Sequence, residues 1–125
     1  MITEDYVSFE TAKLLKEKGF NEMTELAYEI ENGHIRNDLP VSYWRNSEIG
    51  KYKFSCPTLQ MAMKWLREVH NIVIVVTPSM FWGKYNVSIY KKDNDYPIGF
   101  DGDSLISSYE EAIEAALKYT LENLI

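Results

Sequence analysis

The sequence has one cysteine, four prolines and no long apolar run. Cys56 has no second cysteine to pair with, so the fold depends on packing, which fits a reducing compartment. The longest purely apolar run, residues 72–76, is far shorter than the roughly 18 residues that cross a bilayer. The first ten residues are acidic, whereas an export signal is basic and then apolar. We therefore expect a cytoplasmic protein with no membrane segment.

The sequence also lacks the common catalytic motifs: a phosphate-binding glycine loop, a GxSxG elbow or an HExxH helix. His34, His70 and Cys56 are not spaced like known metal ligands. The acidic pieces at 93–95 and 101–103 lack the glycine and distal glutamate of a calcium loop. No nucleophile and base can be paired. We therefore predict a protein that is not an enzyme and has no metal or cofactor.

The chain does contain enough apolar material to fold. Of its 125 residues, 46% are hydrophobic and 14% are aromatic, which is typical of globular proteins and not of disordered chains. This length fits one core of ordinary size. We predict a single domain over residues 1–125.

Local signals in the first third predict a helix and a hairpin. Ser8 is a good N-cap, and Gly19 suits the left-handed residue that ends many helices. Asn32-Gly33 is the strongest short signal for a two-residue hairpin turn. That turn places Glu29 opposite Arg36, a favourable cross-strand pair. Strand-like pieces follow at 41–45 and 52–55.

Residues 59–70 predict a second helix, because their apolar residues recur at helical spacing. The predicted inner stripe has five members: Leu59, Ala62, Met63, Leu66 and Val69. The predicted exposed side carries three basic residues and one aromatic: Lys64, Arg67, His70 and Trp65.

The remaining sequence predicts two strands and a last helix. Strands at 72–77 and 84–91 are joined by the loop PSMFWG, and the all-apolar first strand indicates a central strand covered on both faces. Capping boxes at 107–111 begin the last helix. The predicted fold class is α+β: an antiparallel sheet with three helices mainly on one face, in the order helix, hairpin, strand, helix, two strands, helix.

Charge is unevenly distributed along this acidic chain, whose net charge is -6. Residues 34–92 hold nine basic and three acidic side chains, whereas residues 1–33 hold three and eight, and residues 93–125 hold one and eight. The middle segment also contains nine of the 17 aromatic residues. The simplest explanation is that these aromatics fill the core and the charges solvate the surface. The alternative is a binding surface.

For that surface we predict six residues: Trp44, Arg45, Lys51, Phe81, Trp82 and Lys84. Phe81 and Trp82 fall at the tip of the second hairpin, where exposed aromatics are typical interface anchors. The favoured function is a non-catalytic protein-binding or self-associating module. The alternative is a nucleic-acid accessory protein whose basic, aromatic segment contacts phosphates and stacks on bases, although the acidic total argues against it.

Two segments carry a resemblance to known proteins: WLREVH at Trp65–His70 and YEEA at Tyr109–Ala112. The region of roughly residues 56–125 that contains them resembles a group of small uncharacterised proteins encoded in bacterial prophages and other mobile elements, largely of gut anaerobes. The resemblance implies a phage-like origin and a bacterial cytoplasm. It implies no activity and no site residue.

Overall fold

A computed structural model describes residues 2–32, 34–36, 45–80, 83–98 and 106–125. Their contacts form two compact units: unit 1 is Met1–Thr58 and unit 2 is Leu59–Ile125. The predicted α+β class and the predicted order of elements are confirmed, with three helices and antiparallel strands. The described strands form two sheets, where the sequence suggested one. The single domain over 1–125 stays a prediction.

Within the described part of unit 1 there are one helix, three strands and a short 3-10 turn: α1 (Phe9–Glu17), β1 (Leu26–Glu31), β2 (His34–Arg36), the turn Asn46–Glu48 and β3 (Lys53–Cys56). Its sheet is antiparallel with the order β2-β1-β3. The predicted hairpin is confirmed, since Glu29 lies opposite Arg36 in the β1–β2 register. Asn32 adopts the left-handed backbone conformation that this turn requires, with a φ of 51°.

The ends of α1 lie where the capping signals placed them. The Ser8 hydroxyl accepts a hydrogen bond from the Thr11 backbone N–H at 3.3 Å. At the other end Gly19 has a φ of 95°, and the Phe20 N–H donates to the Leu15 carbonyl at 2.9 Å. This is the Schellman motif, which satisfies carbonyls at a helix end. It turns the chain back, so that Phe20 is fully buried.

An aromatic cluster joins α1 to the sheet of unit 1. The ring of Phe9 meets Tyr28 and Phe54 edge-on, with centroid distances of 5.7 and 5.3 Å. Tyr28 and Phe54 are opposite one another on β1 and β3. The Tyr28 hydroxyl also donates to the Val7 carbonyl at 2.7 Å. These contacts hold α1 over one face of the sheet.

A buried asparagine ties the 3-10 turn to the rest of unit 1. The Asn46 side-chain amide donates to the Phe20 carbonyl at 2.8 Å, and its oxygen accepts from the Ser55 N–H at 2.9 Å. Both backbone groups are thereby satisfied away from water. Of the strand predicted at 41–45, only Arg45 is described, and it precedes the turn.

The described residues of unit 2 form two helices and a strand hairpin: α2 (Leu59–His70), β4 (Ile72–Pro78), β5 (Tyr85–Lys91) and α3 (Tyr109–Asn123). The hairpin prediction is confirmed by the antiparallel register, in which Ile74 lies opposite Ile89. Both helices contact β4, and α3 also contacts β5. The Ser108 side chain caps α3 by accepting from the Glu111 N–H at 3.1 Å. The core of unit 2 includes Leu66, Ile72, Ile89, Ile113, Leu117 and Leu121, all fully buried.

The predicted faces of α2 need one correction. Trp65, expected on the exposed side, is buried at 6% exposure, whereas Val69, expected in the inner stripe, is 55% exposed. Val69 lies in the last turn of α2, two residues before the left-handed residue Asn71. The larger Trp65 ring reaches the core from the flank of the stripe and meets the His70 ring edge-on at 4.7 Å.

The prediction that β4 is covered on both faces was wrong. Ile72 and Ile74 point into the core, but Val73 and Val75 on the other face are 39% and 37% exposed. The physical reason is that, within the described residues, the sheet of unit 2 has two strands, and its buried side chains Ile72, Ile74 and Ile89 lie on the one side that packs against the helices. A run of apolar residues therefore does not show that both faces are buried.

Candidate functional site

The six residues predicted for a binding surface are only partly within the described structure. Trp44, Phe81 and Trp82 lie outside the described residues. Arg45 and Lys51 belong to unit 1, whereas Lys84 belongs to unit 2. Whether the six share one surface therefore stays a prediction.

In unit 1, Arg45 and Lys51 flank the 3-10 turn. The Arg45 guanidinium is 3.8 Å from the Glu48 carboxylate, and both side chains are exposed to solvent, so this ion pair adds little stability. The Lys51 amine is 5.1 Å from the ring centroid of Tyr52, which is 59% exposed. An exposed aromatic ring with a cation over it is therefore available for contact.

A lysine of α1 positions the segment that presents Lys51. The Lys16 amine donates to the Lys53 carbonyl at 2.7 Å and also to the Gly50 carbonyl. It lies 4.9 Å from the Phe54 ring centroid. Burial lowers the pKa of Lys16 below its ordinary value of 10.5. The two carbonyls lie on either side of residues 51–52. Lys16 therefore holds both ends of the short turn at 50–53.

In unit 2, Lys84 lies where the loop between β4 and β5 returns to the sheet. Its backbone carbonyl accepts from the Ser79 N–H at 3.0 Å, which closes the hairpin. Gly83 has a φ of 82°, a conformation that favours glycine. A small surface hollow at this end is lined by Pro78, Ser79, Gly83, Lys84 and Tyr85.

The structure adds an apolar surface that the sequence interpretation missed. Val73 lies directly opposite Tyr90 in the β4–β5 register, and Val75 lies opposite Ser88. Val73, Val75 and Tyr90 are 39%, 37% and 44% exposed and project from the side of the sheet that faces away from the helices. We call this side the open face. The sequence pattern held no signal for this surface, because the number of strands in the sheet decides whether its second face is covered.

The open face has no charged side chain along β4, because the segment 71–80 contains none. Two lysines flank it at the end of β5: Lys91, opposite Ile72, directs its amine to the Leu124 carbonyl at 3.4 Å, and Lys92 follows Tyr90 on the same side, with its N–H bonded to the Asn71 carbonyl at 3.1 Å. The centre of the face, formed by Val73, Val75, Ser88 and Tyr90, is therefore largely apolar and has no charged side chain. Such a surface is best suited to contact another apolar surface.

Among the described residues, no three side chains of His, Cys, Asp or Glu come together as a metal site would require. None of the helices placed by the structure is both long and apolar enough to cross a lipid bilayer.

Comparisons with protein-family models, with curated proteins and with solved structures give no significant match to this chain. The resemblance to prophage-encoded proteins therefore stays a prediction, as does the bacterial origin that it implies.

Proposed function

We propose that this chain is a non-catalytic protein-binding or self-associating module of phage or mobile-element origin that acts in the cytoplasm of a bacterial host. The observation that carries the proposal is the open face of β4 and β5. Val73 and Tyr90 are neighbours across the two strands, and Val75 lies two residues along β4 on the same side. The three side chains therefore form one patch.

The composition of this patch supports a protein partner. Single exposed apolar residues are normal on any surface, whereas contiguous ones often mark an interaction site. Interface centres are depleted of charge and enriched in tyrosine, and the open face shares both properties. The partner would gain the hydrophobic contribution of covering two half-exposed valines and a tyrosine ring, roughly 25 cal/mol for each Å² of apolar area removed from water.

A photocrosslinker placed on the open face tests this proposal. Tyr90 would be replaced by p-benzoylphenylalanine, which preserves an aromatic ring at that position, and the variant would be irradiated in bacterial cells. A matched control would carry the same group at Glu122, an exposed position on α3. We expect discrete protein adducts from position 90, including adducts to a second copy where the protein self-associates, and none of these bands from position 122.

The adducts would be identified by mass spectrometry after nuclease treatment. If position 90 gave only the diffuse background seen at position 122, the open face would not be a protein-binding surface. If the adducts disappeared with nuclease, the partner would be nucleic acid and the proposal would be wrong.

A second candidate function, nucleic-acid binding, is favoured by one observation in unit 1. Lys51 lies over the exposed ring of Tyr52, which combines a phosphate-binding cation with a surface on which a base could stack. Each phosphate contact adds about 0.7 to the log-log salt slope for single strands, so three or four contacts predict a slope of about -2 to -3. Fluorescence anisotropy with a labelled oligonucleotide at low salt tests this function. Lys51→Glu should flatten the slope, and absence of binding at low salt would remove the candidate.

A further inference from the structure

The open face of the β4–β5 hairpin has a lysine at each end. Residues opposite one another in an antiparallel sheet project to the same side, so the register assigns five pairs of residues to this face. They are Asn71–Lys92, Val73–Tyr90, Val75–Ser88, Thr77–Asn86 and Ser79–Lys84. The first and last pairs are joined by backbone hydrogen bonds of 3.1 and 3.0 Å. The open face therefore extends from one cation to another.

No carboxylate neutralises these two lysines. Residues 71–92 contain no acidic side chain. Lys84 and Lys92 are exposed, and neither forms an ion pair with a described residue. The next acidic residue, Asp93, lies in the turn beyond the last pair, where its φ is 73°. The open face is therefore locally basic in a chain whose net charge is -6.

The apolar residues of the open face lie nearer to Lys92 than to Lys84. Successive residues on one face of a strand are about 6.7 Å apart. Val73 and Tyr90 therefore lie one step from the Lys92 end, and Val75 lies two steps from it. The distance from residue 84 to residue 92 along the strand is about 27 Å. The order along the face is cation, apolar residues, uncharged polar residues, cation.

We propose that the partner of the open face is an acidic amphipathic helix of another protein. This inference rests on the proposed function and specifies its partner. A sheet of two strands is about 10 Å wide, close to the diameter of a helix, about 10 to 12 Å. The other face of the same strands already packs against the helices α2 and α3. The partner helix would cover Val73, Val75 and Tyr90 with apolar side chains and place a carboxylate near each lysine.

The spacing along the open face sets the pattern of that helix. Because a helix rises about 1.5 Å per residue, one step of the face corresponds to about four helical residues, and the distance between the lysines corresponds to about 18. We therefore expect one acidic residue, apolar residues about four and eight positions from it, and a second acidic residue about 18 positions from the first.

A second copy of this chain does not suit the open face. Stacking two open faces about a two-fold axis sets Lys92 against Lys92 when the strands of the two copies are parallel, and against Lys84 when they are antiparallel. Both arrangements bring like charges together, which disfavours association. The five pairs of the face also provide fewer residues than the roughly 20 to 30 that each side of a stable interface contributes. An acidic helix from another protein instead meets both lysines with the opposite charge.

Two synthetic peptides test the inference by nuclear magnetic resonance of the full chain. Both would be alanine-based helices of about 20 residues with leucine at the two apolar positions. One carries glutamate at both acidic positions, and the other carries lysine there. The net charge of the chain attracts the lysine peptide, so a preference for glutamate must come from nearby lysines.

The peptides would be titrated at physiological salt, where exposed charges more than about 8 Å apart are largely screened. The glutamate peptide should bind about fivefold more tightly than the lysine peptide or better. It should shift the amide signals of residues 73, 75 and 90.

Charge reversal in the protein supplies matched variants. Lys84→Glu and Lys92→Glu should each weaken binding of the glutamate peptide by about fivefold, and the double variant should prefer the lysine peptide. Lys64→Glu changes the net charge by the same amount as each single variant, but Lys64 is an exposed residue of α2 outside the open face. It should therefore bind like wild type. Circular dichroism would establish that each variant is folded before its affinity is interpreted.

Three results of the titrations would overturn the inference: equal or tighter binding of the lysine peptide to wild type, amide shifts confined to residues outside the open face, or no shifts with either peptide. Vesicles of phosphatidylglycerol provide a further test. If wild type sedimented with them and the double variant did not, the open face would bind an anionic lipid surface and the inference would be wrong. The proposed function fails separately: discrete protein adducts from position 90 in cells, without a preference for the glutamate peptide, would retain that function and remove only the acidic helix as partner.

Discussion

Replacing Leu66 by alanine removes a side chain from the centre of unit 2. Leu66 is fully buried on α2, the helix that contacts both β4 and α3. Alanine keeps the helical propensity high, so the change acts through packing and not through the backbone. The variant therefore measures how much stability the contact between α2 and the sheet provides.

The expected loss can be worked out from the atoms removed. At roughly 0.8 kcal/mol for each buried methylene-sized group, truncating leucine to alanine removes about 2.4 kcal/mol of transfer free energy. The cavity left behind adds a further cost, about 24 cal/mol for each Å³ that does not collapse. We expect the free energy of unfolding to fall by about 3 to 4 kcal/mol, a large part of the roughly 5 to 15 kcal/mol that stabilises most domains.

Urea denaturation followed by circular dichroism measures this loss, with Val69→Ala as the matched control. Val69 is on the same helix but is 55% exposed, so its truncation should change the free energy of unfolding by about 0.5 kcal/mol or less. A loss below about 1 kcal/mol for Leu66→Ala would contradict the packing described for α2. An equal loss in the two variants would show that the faces of the helix are assigned incorrectly.

Three further predictions concern other parts of the chain. Asn46→Ala should cost about 2 to 4 kcal/mol in the same urea assay, because it leaves the Phe20 carbonyl and the Ser55 N–H buried without partners; an equal effect of the exposed control Ser47→Ala would refute this reasoning. Lys16→Met should cost about 1 kcal/mol and speed amide exchange at residues 50–53, since it removes the donor to two carbonyls; Lys13→Met on the same helix should do neither. Trp82→Ala should leave stability nearly unchanged and weaken self-association or partner capture, and acrylamide quenching of a variant that keeps only Trp82 would contradict this role if the indole were shielded.

The parts of the fold that could be predicted from sequence are those determined by neighbouring residues. Ser8 and Gly19 define the ends of α1 through bonds to residues a few positions away, and Asn32-Gly33 sets the first hairpin in the same way. These signals work because a cap or a turn is formed by hydrogen bonds and backbone conformations within a few consecutive residues. Nothing more distant has to be known.

The wrong predictions concern which side of α2 and of β4 is buried. That depends on which parts of the chain pack against each element. Val69 and Trp65 are both apolar and lie near the same helical stripe, and helical spacing alone does not say which of them the rest of unit 2 covers. The run 72–76 reads equally well as a strand buried on both sides or as one covered on a single side. The number of strands in the sheet decides between them, and periodicity does not contain that information. The candidate surface was predicted from composition, which cannot say which charges and rings meet.

The junction between α2 and β4 is a single residue, Asn71, whose φ of 57° is left-handed. A one-residue connection has only two backbone dihedral angles that can change. We therefore expect the end of the helix and the start of the strand to move together. If a partner that binds the open face changes the twist of β4, we expect the last turn of α2 to rotate with it. The nuclear magnetic resonance signals of Lys64 and Arg67, which are exposed on α2, would then shift on association although neither residue contacts the partner.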